Sequence, residues 1–142
     1  MTCLQSGLMR ALTPPVSIYG EEGNDILLGG TGQNVLNGGA GSDALAGGSG
    51  DDQLIGGTGK DTFQFTASRG NDIITDFSVS DALEFYYRSS SSSTIADLSI
   101  ANGVITWNTG DQSQEVQIDM SSTMPLIDIS DFGGLISFQE ID

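Results

Sequence analysis

From Gly20 to Gln64 an apolar residue returns at every ninth position, and the residues between are mostly small or polar. Written in nines, the segment reads GEEGNDILL, GGTGQNVLN, GGAGSDALA, GGSGDDQLI and GGTGKDTFQ, five blocks covering residues 20–64 without a gap. The eighth position is Leu27, Leu36, Leu45, Leu54 and Phe63. The sixth is Asp25, Asn34, Asp43, Asp52 and Asp61, and the fourth is Gly23, Gly32, Gly41, Gly50 and Gly59. Self-similarity at a fixed period marks a repeat architecture. Each block is a six-residue glycine-rich turn followed by three residues centred on an apolar one. Three residues make a very short strand, whose middle side chain points to one face and whose neighbours point to the other. Two blocks per coil give an 18-residue turn. Two thin sheets then face each other, and the eighth-position residues fill the narrow interior. Positions 7 and 9 are mixed, with Ile26 and Leu28 beside Asn37 and Gln53, as an outer face is.

The flanks do not repeat. Leu83 to Tyr87 (LEFYY) reads as a strand, and Ser89 to Ser93 as a flexible serine loop. Leu98–Ala101 and Val104–Trp107 are separated by Asn102-Gly103, a hairpin signal with a type I′ turn. Val116–Ile118 and Leu135–Phe138 are further strand candidates. A stack of coils ends in an open edge and an exposed apolar end, so an antiparallel cap is expected after it. The expected organisation is an unstructured leader over 1–17, with Pro14-Pro15 at its end, the repeat over 18–66, and the cap over 67–142.

Charge narrows the function. Nineteen acidic residues face four basic ones, for a net charge of −15, and histidine is absent. Nucleic-acid binding needs a lysine and arginine footprint that is missing here. Without histidine there is no HExxH zinc site and no Ser-His-Asp triad. The single cysteine, Cys3, excludes an intramolecular disulfide, and no apolar run of 18 residues is present to span a membrane. Gly39–Ala44 matches a GxGxxA dinucleotide pattern, but the strand and helix that motif needs are not there. The 20 glycines are far above the usual share of roughly 7%. Hard cations are the natural partner for so many carboxylates.

The repeat spacing suits one such cation. Asp25 and Asp43 fall one coil apart on one edge, as do Asp43 and Asp61. Neighbouring strands lie roughly 4.7–4.9 Å apart. Oxygens on opposite sides of a calcium ion lie about twice 2.3–2.6 Å apart. An ion therefore fits between successive turns, with backbone carbonyls completing its shell. Without it, stacked carboxylates repel and a thin core does not offset the ordering entropy of the turns.

The pattern GGxGxDxUx resembles the RTX, or haemolysin-type, calcium-binding nonapeptide repeat, strongly over residues 20–64 and more weakly through Gly70–Phe77. The resemblance implies an all-β fold: a short right-handed parallel β-roll of about two and a half coils. It also implies the ligands. Carbonyls of positions 2 and 4 with the aspartate of one block join carbonyls of positions 1 and 3 with the aspartate of the block one coil later. One site then comprises Glu21, Gly23 and Asp25 with Gly38, Ala40 and Asp43. A second comprises Gly39, Gly41 and Asp43 with Gly56, Thr58 and Asp61. The opposite edge pairs Gly30, Gly32 and Asn34 with Gly47, Ser49 and Asp52, and a half-site of Gly48, Gly50 and Asp52 is closed by Asp72. Two departures stand out. Asn34 removes a charge, so its site is expected to be weak or empty, and Glu21 replaces a turn glycine, which strains the first turn.

In that family the module is non-catalytic, extracellular and often exported by a type I secretion machinery that reads an uncleaved C-terminal signal. The acidic, apolar tail over 126–142 is where such a signal is expected. The reading is thus of a calcium-folded module of a secreted protein, serving folding and stability after export, and not an enzyme. Two other readings stay open at this point. The chain is the non-catalytic C-terminal part of a secreted hydrolase or toxin, or it is a carbohydrate-binding or adhesive module. Glycan binding belongs to the last of these, and self-association through Ile26, Leu28 and Ile55 is left open beside them.

Overall fold

The computed structural model describes residues 8–10, 15–66, 70–88, 98–101, 104–108, 113–118 and 136–141. Those residues form strands and turns, without helix. The strands are β1 (Leu8–Arg10), β2 (Ser17–Glu22), β3 (Ile26–Thr31), β4 (Val35–Gly41), β5 (Ala44–Ser49), β6 (Gln53–Gly59) and β7 (Thr62–Thr66). They continue as β8 (Gly70–Ile74), β9 (Ala82–Arg88), β10 (Leu98–Ala101), β11 (Val104–Asn108), β12 (Ser113–Ile118) and β13 (Ile136–Ile141). Odd and even strands alternate between two sheets, ordered β1-β3-β5-β7-β9-β13 and β2-β4-β6-β8-β12-β11-β10. Every neighbour in the first sheet is parallel, as is every neighbour from β2 to β12 in the second. This is a parallel β-roll.

The register follows the repeat. Leu27 pairs with Leu45 and Leu36 with Leu54, each 18 residues on. Ile18, Leu36, Leu54 and Ile74 from one sheet, and Leu27, Leu45, Phe63 and Leu83 from the other, are buried as two interior ladders. Position 7 lies outside, where Ile26 is 47% exposed. The strands are longer than the expected three residues, because pairing runs on into the glycine segment, as in Glu21 with Gly39 and Glu22 with Ala40.

Stacking also outlasts the five nonapeptides, giving about four turns instead of two and a half. Gln53 pairs with Ile73 and Thr62 with Ala82, twenty residues on, so these coils are two residues longer. Here the core thickens. Phe65 takes the place of a turn glycine and stacks on Phe85, ring centroids 5.2 Å apart, while Phe77 packs against Phe63 at 6.1 Å.

The ends differ in detail from the sequence expectation. Within the expected leader, β1 pairs in parallel with β3, setting Met9 beside Leu27 in register. In the cap, β10, β11 and β12 are antiparallel, and Leu98 faces Trp107 as the hairpin signal requires. Yet β12 and β13 join β8 and β9 in parallel, so the cap includes a further layer of the roll. Cys3, the Asn102-Gly103 turn, the serine run 89–93 and most of the tail over 126–142 lie outside the described residues.

Candidate metal centre

The sixth-position side chains form two buried polar ladders at the edges of the roll. Asp25, Asn34, Asp43, Asp52 and Asp61 are each no more than 2% exposed. The carboxylates of Asp43, Asp61, Asp52 and Asp72 each tie their own coil to the one before. Asp43 Oδ1 accepts the N–H of Asp25 at 2.8 Å, and Asp61 Oδ1 that of Asp43 at 3.0 Å. On the other edge Asp52 Oδ1 accepts the N–H of Asn34 at 2.8 Å, and Asp72 Oδ1 that of Asp52 at 3.0 Å. One oxygen of each carboxylate is thereby used. In Asp43 and Asp52 the second oxygen, Oδ2, is buried without a hydrogen bond among the described residues. A buried carboxylate oxygen costs free energy unless a donor or cation meets it.

The turns bring main-chain oxygens to the same gaps between coils. Carbonyls at positions 2 and 4 face the following coil. A Cβ built on Gly39 would strike the oxygen of Glu21, on Gly41 that of Gly23, on Gly57 that of Gly39, and on Gly59 that of Gly41. Carbonyls at position 1 face back, with Gly38 O against Gly20, Gly47 O against Gly29, and Gly56 O against Gly38. At position 3, Ala40 O and Ser49 O accept the N–H groups of Gly23 and Gly32 at 2.9 and 2.8 Å, which leaves each a second lone pair. Such crowding needs glycine at positive φ, and the first turn meets this with strain. Glu21, at φ 76°, is the non-glycine residue in that region among those described.

The first two proposed ligand sets are therefore assembled on one edge. Glu21, Gly23 and Asp25 face Gly38, Ala40 and Asp43, and Gly39, Gly41 and Asp43 face Gly56, Thr58 and Asp61. On the other edge Gly30, Gly32 and Asn34 meet Gly47, Ser49 and Asp52. In the fourth set Gly50 O faces Gly70 and Asp52 meets Asp72, whereas the chain over 67–69 that continues that turn lies outside the described residues. No three acidic side chains cluster among the described residues, so backbone carbonyls must supply most of any coordination. An all-oxygen shell of carbonyls with one or two carboxylates fits calcium, a hard and geometrically tolerant ion.

Three residues in the last coil were not singled out by the nonapeptide period. Asp81 continues the ladder, since its Oδ1 accepts the N–H of Asp61 at 3.0 Å. Its Oδ2, unlike that of Asp43, accepts the N–H of Ser78 at 2.7 Å. Asp76 receives the N–H groups of Gly56 and Gly57 at 2.9 and 2.7 Å, and the Ser80 hydroxyl donates to Gly59 O at 3.1 Å.

Burial pushes the carboxyls of Asp43, Asp52 and Asp61 above the ordinary aspartate value of 3.8, against the lowering effect of the N–H groups they accept. Neighbouring acids raise them further, Asp25 for Asp43, Asp51 for Asp52, and Asp81, Asp43 and Asp76 for Asp61. The metal-free folded chain then holds more protons than the unfolded chain between 3.8 and those raised values. The stability these three groups contribute is fully present below 3.8 and is lost as pH rises through their raised values. Calcium binding has the opposite sign, because the ligands must be ionised. In chelator, lowering the pH from neutral towards the ordinary aspartate value of 3.8 is expected to favour the folded roll, while at a fixed calcium level the same change is expected to weaken binding. Circular dichroism across pH, with and without calcium, measures both.

The family described as RTX calcium-binding nonapeptide repeat (4 copies) matches residues 16–36 and 28–63, and this part of the chain is an RTX repeat β-roll. No curated protein sequence matches the chain. Among solved structures, the extracellular lipase LipA from Serratia marcescens is similar at 24% identity with a TM-score of 0.41. That similarity covers 80% of this chain and 17% of that one. No helix among the described residues is long and apolar enough to cross a membrane.

Proposed function

We propose that the RTX repeat roll of this chain is a calcium-folded, non-catalytic module of a secreted protein, and that it serves folding and stability once outside the cell. Its ions are held by Glu21, Gly23 and Asp25 with Gly38, Ala40 and Asp43, and by Gly39, Gly41 and Asp43 with Gly56, Thr58 and Asp61. A further half-site uses Gly48, Gly50, Asp52 and Asp72. One observation carries this reading: Asp43 Oδ2 is buried, without a hydrogen bond among the described residues, in a gap that carbonyls enter from both coils. Calcium supplies the missing positive charge there and neutralises carboxylates that otherwise repel along the edge. Extracellular calcium modules bind at about 10⁻⁴–10⁻³ M. Such a module stays unfolded at the low calcium of a cell interior and folds outside it, which suits export as an unfolded chain by a type I machinery.

The test is a calcium titration of chelator-treated protein followed by far-UV circular dichroism. A cooperative gain of β signal at sub-millimolar to millimolar calcium, absent with magnesium, is the expected result. A chain already folded in chelator, or one that responds equally to magnesium, would overturn it.

A further inference from the structure

The Asn34 junction departs from the pattern of the other coils. Asn34 is 2% exposed and occupies the ladder position held elsewhere by aspartate. Its Nδ2 donates to Gly32 O at 2.9 Å and to Asp52 Oδ1 at 3.0 Å, while its Oδ1 receives the N–H of Val16 at 3.3 Å. Gly32 O and the Asp52 carboxylate are two of the groups that an ion between these coils would have to join. The positive end of the Asn34 amide already joins them.

We infer that Asn34 is a built-in substitute for calcium, so that this junction is closed by hydrogen bonds and takes no ion. The inference rests on the calcium reading of the other junctions. An amide oriented in this way presents N–H groups, not oxygen, to the ring of carbonyls, and a cation entering it would meet those donors. The charge count agrees, because Asn34 leaves Asp52 as the single carboxylate between the two coils, whereas Asp25 and Asp43 or Asp43 and Asp61 supply two. Asp52 Oδ2 also has no hydrogen bond among the described residues, but Asp52 belongs to a second junction, with Asp72, where two carboxylates meet again.

The last coil shows that this fold closes a junction with its own donors more than once. Between Asp61 and Asp81, Ser78 N–H satisfies Asp81 Oδ2 and the Ser80 hydroxyl satisfies Gly59 O. The consequence is an asymmetric roll. The edge of Asp25, Asp43 and Asp61 depends on calcium, and the junction of Asn34 with Asp52 does not.

Bound calcium is counted at saturation by equilibrium dialysis and atomic emission for the wild type, Asn34→Asp and Asn34→Ala, with circular dichroism confirming that each is folded. Asn34→Asp is expected to bind one ion more than the wild type, and Asn34→Ala the same number. Equal counts for Asn34→Asp and wild type, or one ion fewer in Asn34→Ala, would overturn the inference. If Asn34→Ala does not fold, the Asn34→Asp count decides. A wild type that binds no calcium would instead defeat the proposed function. The inference is then judged on the chelated protein, where Asn34→Asp should unfold at lower urea than wild type and an equal midpoint would defeat it.

Discussion

Asp43→Ala is expected to prevent folding at calcium concentrations that fully fold the wild type. Asp43 stands between two junctions: its carboxylate binds back to the Asp25 N–H, and its own N–H is held by Asp61. It therefore enters both proposed ligand sets on that edge, and its removal is expected to weaken two ions at once. A site held at a hundred times its dissociation constant contributes about 2.7 kcal/mol to the folded state. Two such sites approach the lower end of the roughly 5–15 kcal/mol that stabilises a whole domain. Asp25 enters only one of the two proposed ligand sets, so Asp25→Ala should raise the calcium midpoint about half as far on a logarithmic scale. Alanine is the right probe, because the Asn34 amide shows that asparagine can bridge a carbonyl and a carboxylate here. Calcium midpoints read by circular dichroism make the comparison. If Asp43→Ala folds at the wild-type midpoint, or no worse than Asp25→Ala, the shared-ligand account is wrong.

The same residues show why much of this molecule was legible in its sequence. A buried ladder needs an apolar side chain at a fixed interval, and Leu27, Leu36, Leu45, Leu54 and Phe63 announce it in steps of nine. The sixth-position aspartates are equally periodic because each must reach the coil before it. The strain expected of Glu21 appears as its positive φ. What escaped is what breaks the period. Asp81-Ala82-Leu83 repeats Asp43-Ala44-Leu45 and sits in the same ladder, but the coil around it has gained two residues, so a strict nine loses it. Asp76 and Ser80 act through hydrogen bonds to Gly56, Gly57 and Gly59, which no local pattern marks. In the cap the strands were visible from their apolar residues. The parallel pairing of β12 with β8 and β13 with β9 was not, because strand direction depends on the path of the chain between them.

A single methyl group at Gly41 should be nearly as damaging as the loss of Asp43, though it removes no ligand atom. Gly41 has φ 146°, a conformation that L residues rarely adopt, and a Cβ there would strike the carbonyl oxygen of Gly23. The backbone strain alone is about 1–3 kcal/mol. The clash adds to it, since the struck atom is main chain in a stacked coil and cannot rotate aside as a side chain would. Relief requires the coils to part or the Gly23 carbonyl to turn, and that carbonyl is one of the oxygens directed into the gap beside Asp25 and Asp43. A change of about 1.4 kcal/mol alters an equilibrium constant tenfold. Gly41→Ala is accordingly expected to raise the calcium needed for folding by at least about tenfold. Position 3 of the same turns provides the control. Ala40, Ser49 and Thr58 already carry side chains there, so Thr58→Ala removes only atoms outside the gap and should leave the midpoint within about twofold, as most exposed substitutions do. Equal midpoints for Gly41→Ala and Thr58→Ala would show that the coils are not packed closely enough for their glycines to matter. The carbonyls would then lose their claim to be the ion's ligands.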